Sequence, residues 1–329
     1  AAAIIVGFLL TAVQTWTGRA SISGKPLAGL LLVWLAARCS WLLATPLWLL
    51  IPLNLLFLLL AALVMARLLW AVRQKNNYPT VAILLLLLLA EAQSLAGLAL
   101  GDHDWQRRAV LAAVWLVAAM MTLIGGRVIP FFIQRGLGRP AAVKPILWLD
   151  RALLLGTALI AVLHATGQAL LPNLPVALLF LLLGVAHAVR MGRWFDRGLF
   201  GVPLLWSLYL AYAWLVLACL GMALWHAGWL LNASQPLHAL TVGSMAGLIL
   251  AMLSRVTLGH TGRPLVLPAG VSWAFVLLNA GAVSRVFLVE FWPQAGLWLA
   301  MICWSLAFAI YLWRYAPMLW STRADGHPG

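Results

Sequence analysis

The chain has 329 residues, 65% of them hydrophobic and only 9% charged, with 19 tryptophans and with seven acidic residues against 21 lysines and arginines. Water-soluble domains carry about 25% charged residues, so the composition excludes a soluble globular protein and makes lipid the solvent of most of the surface. The net charge of +14 does not indicate nucleic acid, because membrane proteins collect Lys and Arg in their cytoplasmic loops.

The opening residues AAAIIVGFLL lack a basic flank, so they read as the start or edge of a membrane helix and not as a signal peptide. A spanning helix takes roughly 20 apolar residues. That length places eleven segments, at 1–17, 27–44, 46–70, 79–100, 107–128, 145–168, 173–192, 202–231, 236–256, 268–290 and 294–315. The expected fold is an all-α polytopic bundle, with 1–329 as a single transmembrane domain. Connections alternate between two sides. Only Arg38, Arg107, Arg108 and Arg285 of the 21 basic residues fall on one side. The crowded side is therefore expected in the cytoplasm of a bacterial inner membrane, with the C-terminus. Parity then sets residue 1 outside, so that one more helix is expected before it and about twelve spans in the full protein.

Cys39, Cys219 and Cys303 are isolated in apolar segments, and no CxxC or CxxCH occurs. They read as packing residues, with no thiolate zinc site and no covalent haem attachment signalled. Polar groups within a membrane are costly and become functional candidates by default. His187 sits near the cytoplasmic end of its segment and His238 at the entrance of its own. His164 and His226 lie near outer ends, His260 in a cytoplasmic turn, His103 in an outer loop between two aspartates, and His327 in the tail. Imidazole is a common ligand of metals and of haem iron. No HExxH motif and no histidine pair at i and i+4 occurs, so a metal site must draw on several helices. His187, His238 and His226 are the expected metal ligands. Tyr209, with Tyr212 one turn on, is either a packed aromatic or a haem ligand or proton donor. Asp150 beside Arg151 suggests a local charge pair, and Glu91 is the clearest acidic residue within a span.

Glycine and arginine recur together on the cytoplasmic side, at Gly18-Arg19, Gly125-Gly126-Arg127, Arg255 and Gly259–Arg263. Glycine lets a backbone approach closely and the guanidinium holds an anion such as a haem propionate. The alternative is ordinary contact with lipid headgroups.

Four stretches, GFLLTAVQTWTG (7–18), LIGGRVIPFF (123–132), PLLWSLYLAYAW (203–214) and HALTVGSM with SRVTLGHTGRP (238–264), make the chain resemble the NnrS family nearly end to end. The resemblance implies a bacterial inner-membrane protein of about twelve spans. It implies b-type haem, more than one, with copper possible, and a link to denitrification and nitric oxide or nitrosative stress. His187, His238 and His260 match family histidines, and Arg127, Arg255 and Arg263 match family arginines. Two departures stand out. Family members carry a histidine-containing stretch before the point where this sequence starts, and position 209 is Tyr where a histidine is expected. The resemblance implies an inner haem at His187, with Tyr209 opposite and the arginines at its propionates, and an outer haem or copper site at His238 with His226. Nitric oxide would be bound or redox-processed, whether or not the protein turns over as an oxidoreductase, and an electron donor would come from outside the chain. The rival expectation is a non-redox transporter or channel with an arginine-lined anion site.

Overall fold

The computed structural model describes residues 2–141 and 143–326; His327 lies outside them. Among the described residues there is no strand, and eleven apolar helices follow one another. They are α1 (Ala2–Thr17), α2 (Lys25–Leu42), α3 (Leu47–Ala71), α4 (Tyr78–Leu100), α5 (His103–Gly136), α6 (Leu147–Ala165), α7 (Leu174–Gly192), α8 (Pro203–His226), α9 (Ser234–His260), α10 (Val271–Phe291) and α11 (Pro293–Trp320). All but α1 are long and apolar enough to cross a membrane. In hydrocarbon every backbone N–H and C=O needs a partner within its own segment, which a helix supplies. The starts are marked by proline in the first turn of α2, α4, α7, α8 and α11, where its missing N–H costs no hydrogen bond. Asn173 caps α7 by accepting from the Val176 N–H at 3.4 Å.

The helices group into two compact units, residues 1–120 with 157–170, and 121–156 with 171–329. In the first unit, Leu9, Met65, Leu84, Leu95 and Trp115 are fully buried. The polar centre there is Asn54 of α3, whose Oδ1 accepts from Arg38 and, at 3.0 Å, from Trp41 Nε1, both on α2. In the second unit Phe180, Tyr212, Leu215 and Phe275 are buried, while Leu182, Trp273, Phe291 and Trp313 face outward. Large apolar side chains on the outside are what a lipid environment requires.

Four segment ends differ from expectation. The fifth segment does not stop at 128: α5 runs on through Gly125, Gly126 and Pro130 to Gly136. Its two glycines serve close packing and do not break the helix. The ninth reaches His260, so Arg255 lies inside a helix and not at its end. The eighth stops at His226, where Gly228 turns the chain with a left-handed φ of 82°, and the eleventh extends to Trp320. Two stretches are π-helical, Ala239–Met245 in α9 and Ser284–Leu288 in α10.

Candidate functional site

A chain of hydrogen bonds crosses the second unit, from Asp150 on α6 through Arg190 on α7 and Tyr212 on α8 to His187 on α7. His187 and Arg190 are three residues apart, so both face the same neighbour. Both are buried, at 0% and 3% exposure. Arg190 Nη1 donates to Asp150 Oδ1 at 3.0 Å, Nη2 to the Thr122 carbonyl at 3.1 Å, and Nε to Tyr212 Oη at 2.9 Å. Nη2 also donates to that phenol oxygen. His187 Nδ1 stands 2.6 Å from the same atom. Gly126 makes the room, since a Cβ there would stand 2.7 Å from Arg190 Nη1. Trp194 closes the cluster edge-on to the Tyr212 ring, with centroids 5.0 Å apart.

Counting hydrogens assigns the tautomer. Guanidinium nitrogens only donate, and two of them point at Tyr212 Oη. The phenol hydrogen is then left for His187 Nδ1, which accepts. A neutral imidazole whose Nδ1 accepts carries its hydrogen on Nε2. That Nε2 is buried without a hydrogen-bond partner. His187 thus presents an N–H, which suits hydrogen-bond donation better than coordination.

His238 is built the other way. It lies in the first turns of α9, half-buried, and its Nδ1 donates to the Ser234 carbonyl at 2.6 Å. The hydrogen is therefore on Nδ1, and Nε2 keeps its lone pair. Ser234 Oγ lies 3.3 Å from the same Nδ1 and accepts from Arg285 Nη2 at 3.5 Å. Next to it Gln235 donates to Glu290 at 2.7 Å. The π-helical stretch of α9 follows at once, with Gly243 against the bare face of the Trp214 indole. Trp214 Nε1 in turn donates to Asn279 of α10 at 2.8 Å. π-helical turns concentrate at functional sites, and this one carries the histidine on its edge.

The other expected residues scatter. The Tyr209 hydroxyl donates to the Met191 carbonyl at 3.2 Å, so it is Tyr212 that meets His187. His226 is buried and stacked on Phe180, with centroids 5.5 Å apart. Arg127 and His260 are exposed. Arg263 donates to the Thr261 carbonyl at 3.3 Å and to Ser321 Oγ at 3.1 Å. Arg255 is buried, with its guanidinium 4.0 Å above the Phe132 ring. Asp150 pairs with Arg190, 40 residues on, and not with its neighbour Arg151, which is exposed. Among the described residues no three His, Cys, Asp or Glu side chains gather as a metal site.

A family model described as NnrS protein matches residues 1–323. The chain belongs to the NnrS family. That family is associated with nitric oxide responses and is known for haem and copper. Searches of curated proteins and of solved structures returned no match. The family places a nitric oxide-related membrane protein on this fold. Sequence reasoning named Tyr212 only as the neighbour of Tyr209 and passed over Arg190. The signal was present as His-x-x-Arg on one helix and Tyr-x-x-Tyr on the next, but it did not say which tyrosine faces α7.

Proposed function

We propose that the chain binds haem in its second unit and that nitric oxide is bound or redox-processed there, in a bacterial inner membrane with the C-terminus in the cytoplasm. The observation that supports the haem reading is the hydrogen on His238 Nδ1, fixed by the Ser234 carbonyl at 2.6 Å. It leaves Nε2 unprotonated on a half-buried ring, which is the state an axial ligand needs. When bound, haem iron supplies a coordination position for a diatomic gas and a one-electron couple.

The chain's own residues supply the rest. Ser234 orients the imidazole, and a histidine whose second nitrogen is held in this way is a more basic ligand. Arg285, held to Ser234 Oγ at 3.5 Å, places positive charge beside the ring. Redox turnover needs an electron donor from outside the chain. Copper is given no residues, because the described side chains form no three-ligand set.

The test is an absorption spectrum of the purified full-length protein, oxidised and reduced, before and after nitric oxide, for the wild type and for His238→Ala. A Soret band that shifts with the gas, and that is lost or displaced in the variant, is the expected result. Folded protein produced with ample haem and showing no Soret band would overturn the haem assignment. A wild-type spectrum unchanged in His238→Ala would move the ligand elsewhere.

A further inference from the structure

Arg255 is a charge with nothing opposite it. It lies five residues before the end of α9, about 8 Å along the helix axis, and is 8% exposed. Its guanidinium stacks on Phe132 of α5 at 4.0 Å. Its Nε is buried without a hydrogen-bond partner, and no carboxylate pairs with it among the described residues, whose ion pairs are Arg139–Asp196, Arg190–Asp150 and Arg323–Asp325. The adjacent hydroxyls are engaged elsewhere, Ser254 Oγ with the Leu250 carbonyl at 2.9 Å and Thr257 Oγ1 with Tyr311 Oη at 3.0 Å. An arginine does not shed its proton in a protein. A buried cation lacking an anion is strongly unfavourable, and the ring face offsets only part of that cost. The contrast with Arg190, satisfied on three nitrogens, shows that this fold does pair a buried arginine where the pairing is internal.

We infer that Arg255 is the anchor of a binding site for a planar anion with two coplanar oxygens, of the carboxylate type. The orphaned Nε decides the class. Nε–H and the neighbouring Nη–H point the same way along one edge of the guanidinium and match two coplanar oxygens. The Phe132 ring covers one side of the guanidinium, 4.0 Å from Cζ to its centroid. The site is separate from His238: the two residues are 17 positions apart on α9, about 25 Å along the axis. The anion is either a carboxylate borne by a prosthetic group held elsewhere than on His238 or a small free oxyanion. The site stands whether or not His238 holds iron.

The experiment is thermal unfolding of the purified full-length protein in detergent, haem-free and haem-loaded. Sodium formate is titrated against sodium chloride at equal ionic strength, for the wild type, Arg255→Met, Arg255→Lys and, as a control at an exposed arginine, Arg151→Gln. Formate is expected to raise the wild-type midpoint progressively, beyond chloride, with Arg151→Gln behaving like the wild type. Arg255→Met is expected to lose the response and to unfold at a higher midpoint than the wild type without anion, because it removes an unpaired buried charge. A merely structural arginine would give a lower midpoint. Arg255→Lys keeps the charge but loses the fork, so its response should fall several-fold. If haem loading abolishes the formate response, the carboxylate belongs to a haem held elsewhere than on His238, which is too far along α9 to share one with Arg255. If the response persists, the anion is free. A wild type indifferent to formate in both states, or an Arg255→Met that responds like the wild type, would overturn the site.

Discussion

At the scale of single residues, the two tyrosines of α8 separate sharply. Tyr212 Oη receives two guanidinium hydrogens and gives its own to His187. Tyr212→Phe therefore strands a buried arginine nitrogen and an imidazole nitrogen, which costs about 1–3 kcal/mol for an unsatisfied buried group. Tyr209→Phe removes one bond to a carbonyl at a half-buried position, worth about 1 kcal/mol at most. Unfolding in detergent should show the first variant clearly less stable than the second, and equal losses would count against the tetrad. That His187 is a polar group in a span was legible in the sequence. Its partner was not, because Tyr212 stands 25 residues away. Residues three apart on a helix point about 60° from one another, so only the rotation of α8 against α7 selects Tyr212. Likewise the pair expected between Asp150 and Arg151 rested on adjacency, whereas the guanidinium of Arg190 meets that carboxylate through packing.

At the scale of helices, glycine sets how closely α7 and α8 approach. A Cβ on Gly184 would stand 2.6 Å from Leu220 Cδ2 and 3.3 Å from the Leu220 backbone nitrogen, whereas Gly192 on the same helix has nothing within 4 Å. Gly184→Ala should cost about 1–3 kcal/mol through overpacking, and Gly192→Ala should be close to neutral; two equal effects in the same unfolding assay would contradict the contact. The loop from α7 to α8 carries a pH signature. Asp196 accepts from Arg139 Nε and Nη2, each at 2.9 Å, and from the Gly198 N–H. The Arg139 hydrogen bonds first, then that of Gly198, hold its carboxyl below the ordinary value of 3.8. Its stabilising effect is thus present above 3.8 and lost as pH falls through the lowered value. Asp196→Asn should be slightly less stable than the wild type near neutrality, with the gap closing in acid and in high salt; a gap that widens in acid would have the wrong sign. Helix number and most positions were legible, because apolar length alone determines them. The end of α5 was not, because Gly125 and Gly126 resemble a helix stop until Tyr212 and Arg190 are seen packed on them. The π-helical turns were equally hidden, since they depend on the fit of Gly243 to Trp214.

At the scale of the whole molecule, loop charge makes the decisive prediction. All but Arg38, Arg107, Arg108 and Arg285 of the 21 basic residues belong to one alternating set of connections and their adjoining helix ends. Ten of the helices are long and apolar enough to cross a membrane, and α1 is the shorter apolar helix before them. If all eleven cross, the stretch between α8 and α9, AGWLLNA at 227–233, lies on the poorly charged side and the tail after Trp320 on the crowded one. Lys and Arg resist translocation, so the prediction is that the crowded side is retained in the cytoplasm. A fluorescent protein fused after residue 326 should therefore fluoresce in a bacterial host, and alkaline phosphatase at the same place should stay inactive. Phosphatase inserted within 227–233 should be active. That orientation would place Arg255 and the Asp150–Arg190–Tyr212–His187 chain towards the cytoplasm and His238 towards the outside. An active phosphatase at the C-terminus would invert that arrangement, and the anion held by Arg255 would then have to reach it from the outer side.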